Sequence, residues 1–213
     1  MSRRKAMALL STVSGEQWGM VAAGQARRLG VSRVDLNHLV GDGTLEPIPG
    51  AARVYRLTGA PADPELDPLR AAWLQLGGSK TWGERTADPD AVVSHRSAAH
   101  ARSLGDLIPL MHEFYVSTRH RLRREDVRLR VRSRMEKGTW TVWSGLPVCT
   151  IEVIVSDLLH DHEDESAIAQ IVQDAMRDGL LNSAGLQRAV RGGTRGYGHV
   201  RPARLMAALH GKD

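Results

Sequence analysis

Arg33 and Asn37 stand four residues apart in the run SRVDLNHLVG, a spacing that puts both side chains on one face of a helix. Arginine grips the O6/N7 edge of guanine with two hydrogen bonds, and asparagine does the same at the N6/N7 edge of adenine, so the pair has the chemistry of base reading. Val34 and His38 share that outer face. Gln25, Arg27, Arg28, Ser32, Arg53 and Arg56 carry donors suited to DNA phosphate or the rim of a groove, contacts that set register without reading sequence.

The elements that must hold these side chains are short. Residues 22–29 form one helix with Ala23, Ala26 and Leu29 on a buried stripe, and Gly30 supplies the permissive backbone that ends it. Ser32 caps the next helix, in which Leu36, Leu39 and Val40 recur at helical spacing and face the core. Gly41 and Gly43 stop that helix. Residues 45–48 then read as a strand, Pro49-Gly50-Ala51-Ala52 as a turn, and 53–57 as a second strand with Arg53 and Arg56 where a wing meets phosphate. This is the outline of a winged helix-turn-helix; the alternative is a helical hairpin that serves only packing.

Another arginine-rich run is Val127-Arg128-Leu129-Arg130-Val131-Arg132-Ser133-Arg134. As a strand it predicts Arg128, Arg130, Arg132 and Arg134 on one face and Val127, Leu129 and Val131 on the core face. Such a row suits DNA, RNA or an acidic protein partner, or else is the solvated face of an antiparallel sheet.

Three catalytic patterns fail on spacing. His160-Asp161-His162-Glu163-Asp164-Glu165 has metal-ligand residue types but no distant partner, and reads better as a polar loop with acids at the start of the next helix. In Ser94-His95-Arg96-Ser97-Ala98-Ala99-His100 the histidines are five apart, not the four that align ligands on a helix, and Ser94 reads as a cap. Gly192–Gly198 resembles a phosphate loop in glycine content only, since it lacks the Gly-Lys-Ser/Thr ending and follows no strand. No metal, cofactor or enzymatic activity is expected.

The chain has 213 residues, 42% of them hydrophobic, enough for one large domain or two small ones. Its formal charge of +5 is uneven. Residues 1–58 hold eight Lys/Arg against four Asp/Glu, and residues 119–134 hold eight against two, so two basic islands sit on an otherwise mildly acidic chain. The apolar stretch Ala6 to Leu10 is too short for a signal-peptide core and no long apolar run occurs, so a cytoplasmic protein without membrane contact is expected. The lone Cys149, in the apolar segment LPVCTI, excludes an internal disulfide and reads as a small buried hydrophobe.

The proline- and acid-rich segment 59–68 predicts a linker between a winged domain at 1–58 and a second domain at 69–213. In the latter, a helix over 69–76 with Trp73 inward, a loop over 77–90, a strand over 91–93 and a helix over 94–104 are followed by strands over 114–117, 127–134, 140–143 and 146–149. Helices over 151–159, 165–177, 183–190 and 201–209 complete an α+β fold of a small sheet and then helices.

The run QARRLGVSRVDLNHLVGDGTLEPI with the following VYRL, joined to VVSHRSAAHARSLGDL, resembles the AbiEi family of antitoxins from type IV toxin-antitoxin systems. The resemblance covers most of the chain and is strongest over 19–57 and 91–107. It implies a winged helix-turn-helix that represses its own operon by binding promoter inverted repeats, in two copies on the DNA. It also implies a C-terminal domain that neutralises a cognate nucleotidyltransferase-like toxin. The wing turn is a residue or two longer than the family's compact ending, and Val153 and Ile154 stand where an Arg-Thr pair is common. The Glu-x-Asp-Gly strand of nuclease-bearing relatives is absent, which argues against nuclease activity. The rival readings are a stand-alone winged-helix regulator with a sensing or protein-binding second domain, and a hydrolase with a metal on His160 and His162.

Overall fold

The computed structural model describes residues 1–119, 122 and 124–193, and the chain is mixed α+β. It divides into two compact units, Met1–Ala91 and Val92–Asp213. The expected helix over 201–209 and most of the glycine-rich segment lie outside the described residues; Gly192 and Gly193 lie within a helix. No helix among the described residues is long and apolar enough to cross a membrane.

In the first unit the order is α1 (Arg3–Ser14), β1 (Met20–Ala22), α2 (Ala23–Arg28), α3 (Arg33–Gly41), β2 (Leu45–Pro47), β3 (Val54–Leu57), α4 (Asp67–Leu76) and α5 (Trp82–Ala87). The strands form an antiparallel sheet in the order β1-β3-β2, with Val21 opposite Tyr55 and Glu46 opposite Arg56. Ala6, Leu10, Val21, Ala26, Val31, Leu36, Leu39 and Leu45 close one core under α1, α2 and α3. Between α2 and α3, Gly30 takes φ +79° and Val31 N–H returns to the Ala26 carbonyl at 2.9 Å, a left-handed helix stop. Ser32 then opens α3 with a reciprocal cap: its Oγ accepts from Asp35 N–H at 3.1 Å, and its own N–H donates to the Asp35 carboxylate at 3.0 Å.

The first unit does not end at residue 58. Segment 59–68, expected as a linker, leads into α4, whose Asp67 and Arg70 are buried with Arg56 of β3. The loop expected over 77–90 contains α5, opened by a Thr81/Glu84 capping box. Gly24 of α2 has no side chain because the Gly78 carbonyl fills that space; a Cβ there would lie 2.2 Å from the Gly78 oxygen. Trp73 is fully buried, donates from its indole to the Ala91 carbonyl at 3.0 Å, and carries the Arg85 guanidinium over its ring.

The second sheet has five strands in the order β6-β5-β4-β8-β7: β4 (Ala91–Val93), β5 (His112–Val116), β6 (Val127–Val131), β7 (Trp140–Trp143) and β8 (Leu146–Cys149). β5 and β6 are parallel, as are β4 and β8, while β7 and β8 form an antiparallel hairpin. Helix α6 (His95–Ala101) follows β4, and α7 (Ile151–His160), α8 (Glu165–Arg177) and α9 (Ser183–Gly193) follow the sheet. Phe114, Val116, Leu146, Val148, Ile154 and Leu158 are fully buried, as is Cys149.

The strand expected over 127–134 is shorter and differently faced. β6 ends at Val131, lies at an edge, and pairs in parallel rather than within an antiparallel sheet. Val131 is 59% exposed instead of facing a core, because an edge strand leaves its end uncovered. Arg134 falls beyond the strand and is exposed.

Candidate functional site

Two places in the described residues gather functional side chains, one in each unit. On α3, Leu36 and Leu39 are buried while Arg33, Val34, Asn37 and His38 are exposed, so the expected outer face faces solvent. Val34 is 62% exposed. At the N-terminal end of α3 the Met1 amine donates to Asp35 Oδ1 at 2.9 Å. Hydrogen bonds from Ser32 first, then from that amine, hold the Asp35 carboxyl well below the usual carboxylate range. At the other end, Arg3 of α1 reaches Asp42 at 3.3 Å and donates to Thr44 Oγ1 at 2.7 Å.

The residues expected to contact phosphate divide. Arg27 is exposed, and Arg53 is exposed at the turn before β3 with φ +66°. Ser32 is exposed at the cap of α3, and Arg28 is exposed but paired with Glu84 through two hydrogen bonds of 2.7 and 2.9 Å. Gln25 is not available to DNA: it is 2% exposed and bonds Gln17, the Ala22 N–H and the Lys80 carbonyl. Its amide is consumed in joining α2 to β1 and to the turn before α5. Arg56 is also withdrawn from solvent, since it alternates with Val54 on the buried face of β3 and pairs there with Asp67.

In the second unit a cleft of about 420 Å³ is lined by His95, Arg96, Glu113, Arg128, Arg130, Asp161, His162 and Glu163, with Leu110, Met111 and Leu158 as its apolar part. His95 sits where β4 turns into α6, with φ +52°, a left-handed backbone rarely adopted by a residue bearing a side chain. Ser94 is at the cap position but its hydroxyl does not cap the helix; it lies 2.9 Å from His95 Nδ1. Glu113 of β5 takes over the capping, accepting from Arg96 N–H at 3.1 Å.

Electrostatics in the cleft follow from burial and from the arginines of β6. Burial, and then the charge of Arg130, press the His95 imidazole down to about 4, so it is neutral at pH 7. Burial raises Glu113, and it pushes Asp157 up to about 6 against the pull of the hydrogen bond that Tyr115 Oη donates at 2.6 Å. For Asp161 burial works against ionisation, but the two hydrogen bonds from Arg130 outweigh it and hold the carboxyl below its ordinary range. Arg132 leaves this group and lies over the Tyr115 ring, 4.2 Å from its centroid.

Of the residues read as poor catalytic candidates, His95, Asp161, His162 and Glu163 meet in the cleft, while His160 is exposed. Among the described residues no group of three or more His, Cys, Asp or Glu side chains could hold a metal ion. Glu113 carried no motif and went unnoticed in the sequence.

No protein-family model matches the chain, and no curated protein matches it. Among solved structures it is similar to that of the RV2827C protein from Mycobacterium tuberculosis, with a TM-score of 0.51 and 16% sequence identity, covering 99% of this chain and 82% of the other. At that identity the likeness is one of fold.

Proposed function

We propose that the chain is a DNA-binding repressor in which β1, α2, α3 and the β2–β3 hairpin act as a winged helix-turn-helix. The observation that carries this reading is the exposed face of α3, where Arg33, Val34, Asn37 and His38 project from a helix whose other face is buried and whose start is doubly capped. Arg33 suits guanine, Asn37 suits adenine, and the exposed Val34 methyls suit the thymine methyl group. Arg27 and Arg53 flank the helix as phosphate contacts, while Gln25 and Arg56 support the scaffold.

Following the resemblance to AbiEi-type antitoxins, the second unit opposes a nucleotidyltransferase-like toxin, and the chain represses the operon that encodes both. The experiment is co-expression with the neighbouring reading frame, together with binding of the purified protein to its own promoter fragment at two salt concentrations. Growth rescue with saturable binding of inverted repeats is the expected result. Promoter binding without rescue, or without a toxin gene beside it, would instead favour a stand-alone regulator. Equal affinity for promoter and random DNA would overturn the repressor reading.

A further inference from the structure

We propose that the cleft of the second unit is a binding site for a small phosphomonoester, with Arg96, Arg128 and Arg130 as its cationic wall and His95 at the strand-to-helix turn as a hydrogen-bonding partner. The site is built from residues of the second unit alone and does not depend on whether α3 reads DNA.

Its size fits. A volume of about 420 Å³ lies within the roughly 300–1,000 Å³ of small-molecule sites. Its place fits too: His95 and Arg96 follow directly on β4, the middle strand of the five, and clefts beyond strand ends are where α/β sheets take ligands. The left-handed backbone at His95 is the kind of local strain that concentrates at binding sites.

The charge pattern selects an anion. Three carboxylates line the cleft, but each is already engaged. Asp161 takes both terminal nitrogens of Arg130, Glu163 pairs with Arg96 Nε, and the buried Glu113 accepts from the Arg96 N–H. What is left for a ligand is the guanidinium of Arg128. Arg128, half exposed, has one ion-pair contact among the described residues, to Glu113 at 3.7 Å, too long for a hydrogen bond. Arg130 Nε is buried with no hydrogen-bond partner among the described residues. A guanidinium that stands over a cleft with its donors unspent is matched by the oxygens of a phosphate, which accept in the same fork geometry. Leu110, 83% exposed, and Met111 form an apolar flank on which the organic part of the ester would rest.

The test is calorimetric titration of the full-length protein with inorganic phosphate and, separately, with adenosine monophosphate, using the wild type, Arg128→Gln and Arg4→Gln. Arg4 is an exposed arginine of the first unit with no assigned role and controls for general charge. Saturable binding is expected for at least one ligand, weakened about tenfold or more in Arg128→Gln and unchanged in Arg4→Gln. Tighter binding of the nucleotide than of inorganic phosphate would identify an ester ligand that uses the apolar flank; equal affinity would identify a site for the phosphate group alone. Absence of saturable binding with both ligands, or equal weakening in the two variants, would overturn the proposal. Arg128→Gln should fold normally, because its side chain is half exposed and holds no hydrogen bond among the described residues; an unchanged melting temperature would establish that the lost affinity is local.

Discussion

Replacing Arg56 by alanine separates two roles that its position permits, phosphate contact from a wing and internal support. Its side chain is about nine-tenths buried, as is that of Asp67, and the two are paired. Removing one partner of a buried pair costs about 3–5 kcal/mol, chiefly by stranding the other charge. Here Asp67 would not be stranded, since it still accepts from Arg70 at 3.1 Å and from the Asp63 N–H at 2.6 Å. Arg56→Ala should therefore cost near the lower end, about 3 kcal/mol. Asp67→Ala should cost nearer 5 kcal/mol, because Arg56 loses its carboxylate in a buried place while Arg70 keeps only Asp63. Against a total stability of roughly 5–15 kcal/mol, either loss is large. The assay is urea unfolding of the full-length protein followed by hydrogen exchange at the amides of β3 and α4, with the amides of α8 as an internal reference. DNA affinity of the folded Arg56→Ala protein should keep its salt slope. The reasoning is refuted if Arg56→Ala leaves β3 protection intact and instead lowers that slope by about one, the mark of a lost phosphate contact.

Other variants test the two sites. Arg33→Ala and Asn37→Ala should each relax preference for the promoter sequence by about 1–3 kcal/mol, whereas Arg53→Ala should weaken promoter and random DNA alike; anisotropy titrations on both DNAs distinguish these, and identical behaviour of the three variants would refute the assignment of α3. In the second unit, Asp157 has its folded pKa raised to about 6, so the stability it contributes is present below the ordinary carboxylate range and lost as the pH rises toward 6. His95, lowered to about 4, acts in the opposite sense, its contribution growing as the pH rises from 4 toward the ordinary imidazole range. Asp157→Asn should therefore make unfolding free energy climb more steeply between about pH 4 and pH 6. An unchanged slope in urea melts across that window would refute the assignment.

The elements most legible in the sequence are those whose own residues carry their signals. α8 has a capping aspartate, Asp164, and apolar residues at helical spacing through Ile168, Ile171, Val172 and Ala175, and its bounds are those expected. Strands β7 and β8 also have the bounds expected of them. α5 was missed although Thr81 and Glu84 form a capping box, because its short span, TWGERTA, offers no apolar stripe; its one buried residue is an arginine. β1 was hidden inside a run, Val21-Ala22-Ala23, that also begins a helix. The end of the first unit was misplaced because proline and acid at 59–68 signal a linker, whereas Asp63 and Asp67 are there to meet Arg56 and Arg70.

Site residues follow a different logic. Exposure of Arg33 and Asn37 is legible because it is set by α3 alone, through the positions of Leu36 and Leu39. Burial of Arg56 could have been read from period two, since Val54 and Arg56 lie on one face of β3, but arginine in a basic segment invites a phosphate reading. Gln25 offered no such clue: its partners Gln17 and Lys80 come from α2's two flanks, the latter 55 residues away. The cleft is the extreme case. Its walls come from the starts of α6, β5 and β6 and the end of α7, so no window of sequence contains it. Motif spacing rejects His95 and Asp161 as a site because it measures distance along the chain. What joins them is the order of strands, which brings Arg128 and Arg130 of the edge strand beside Glu113 and within reach of the helix that follows β8.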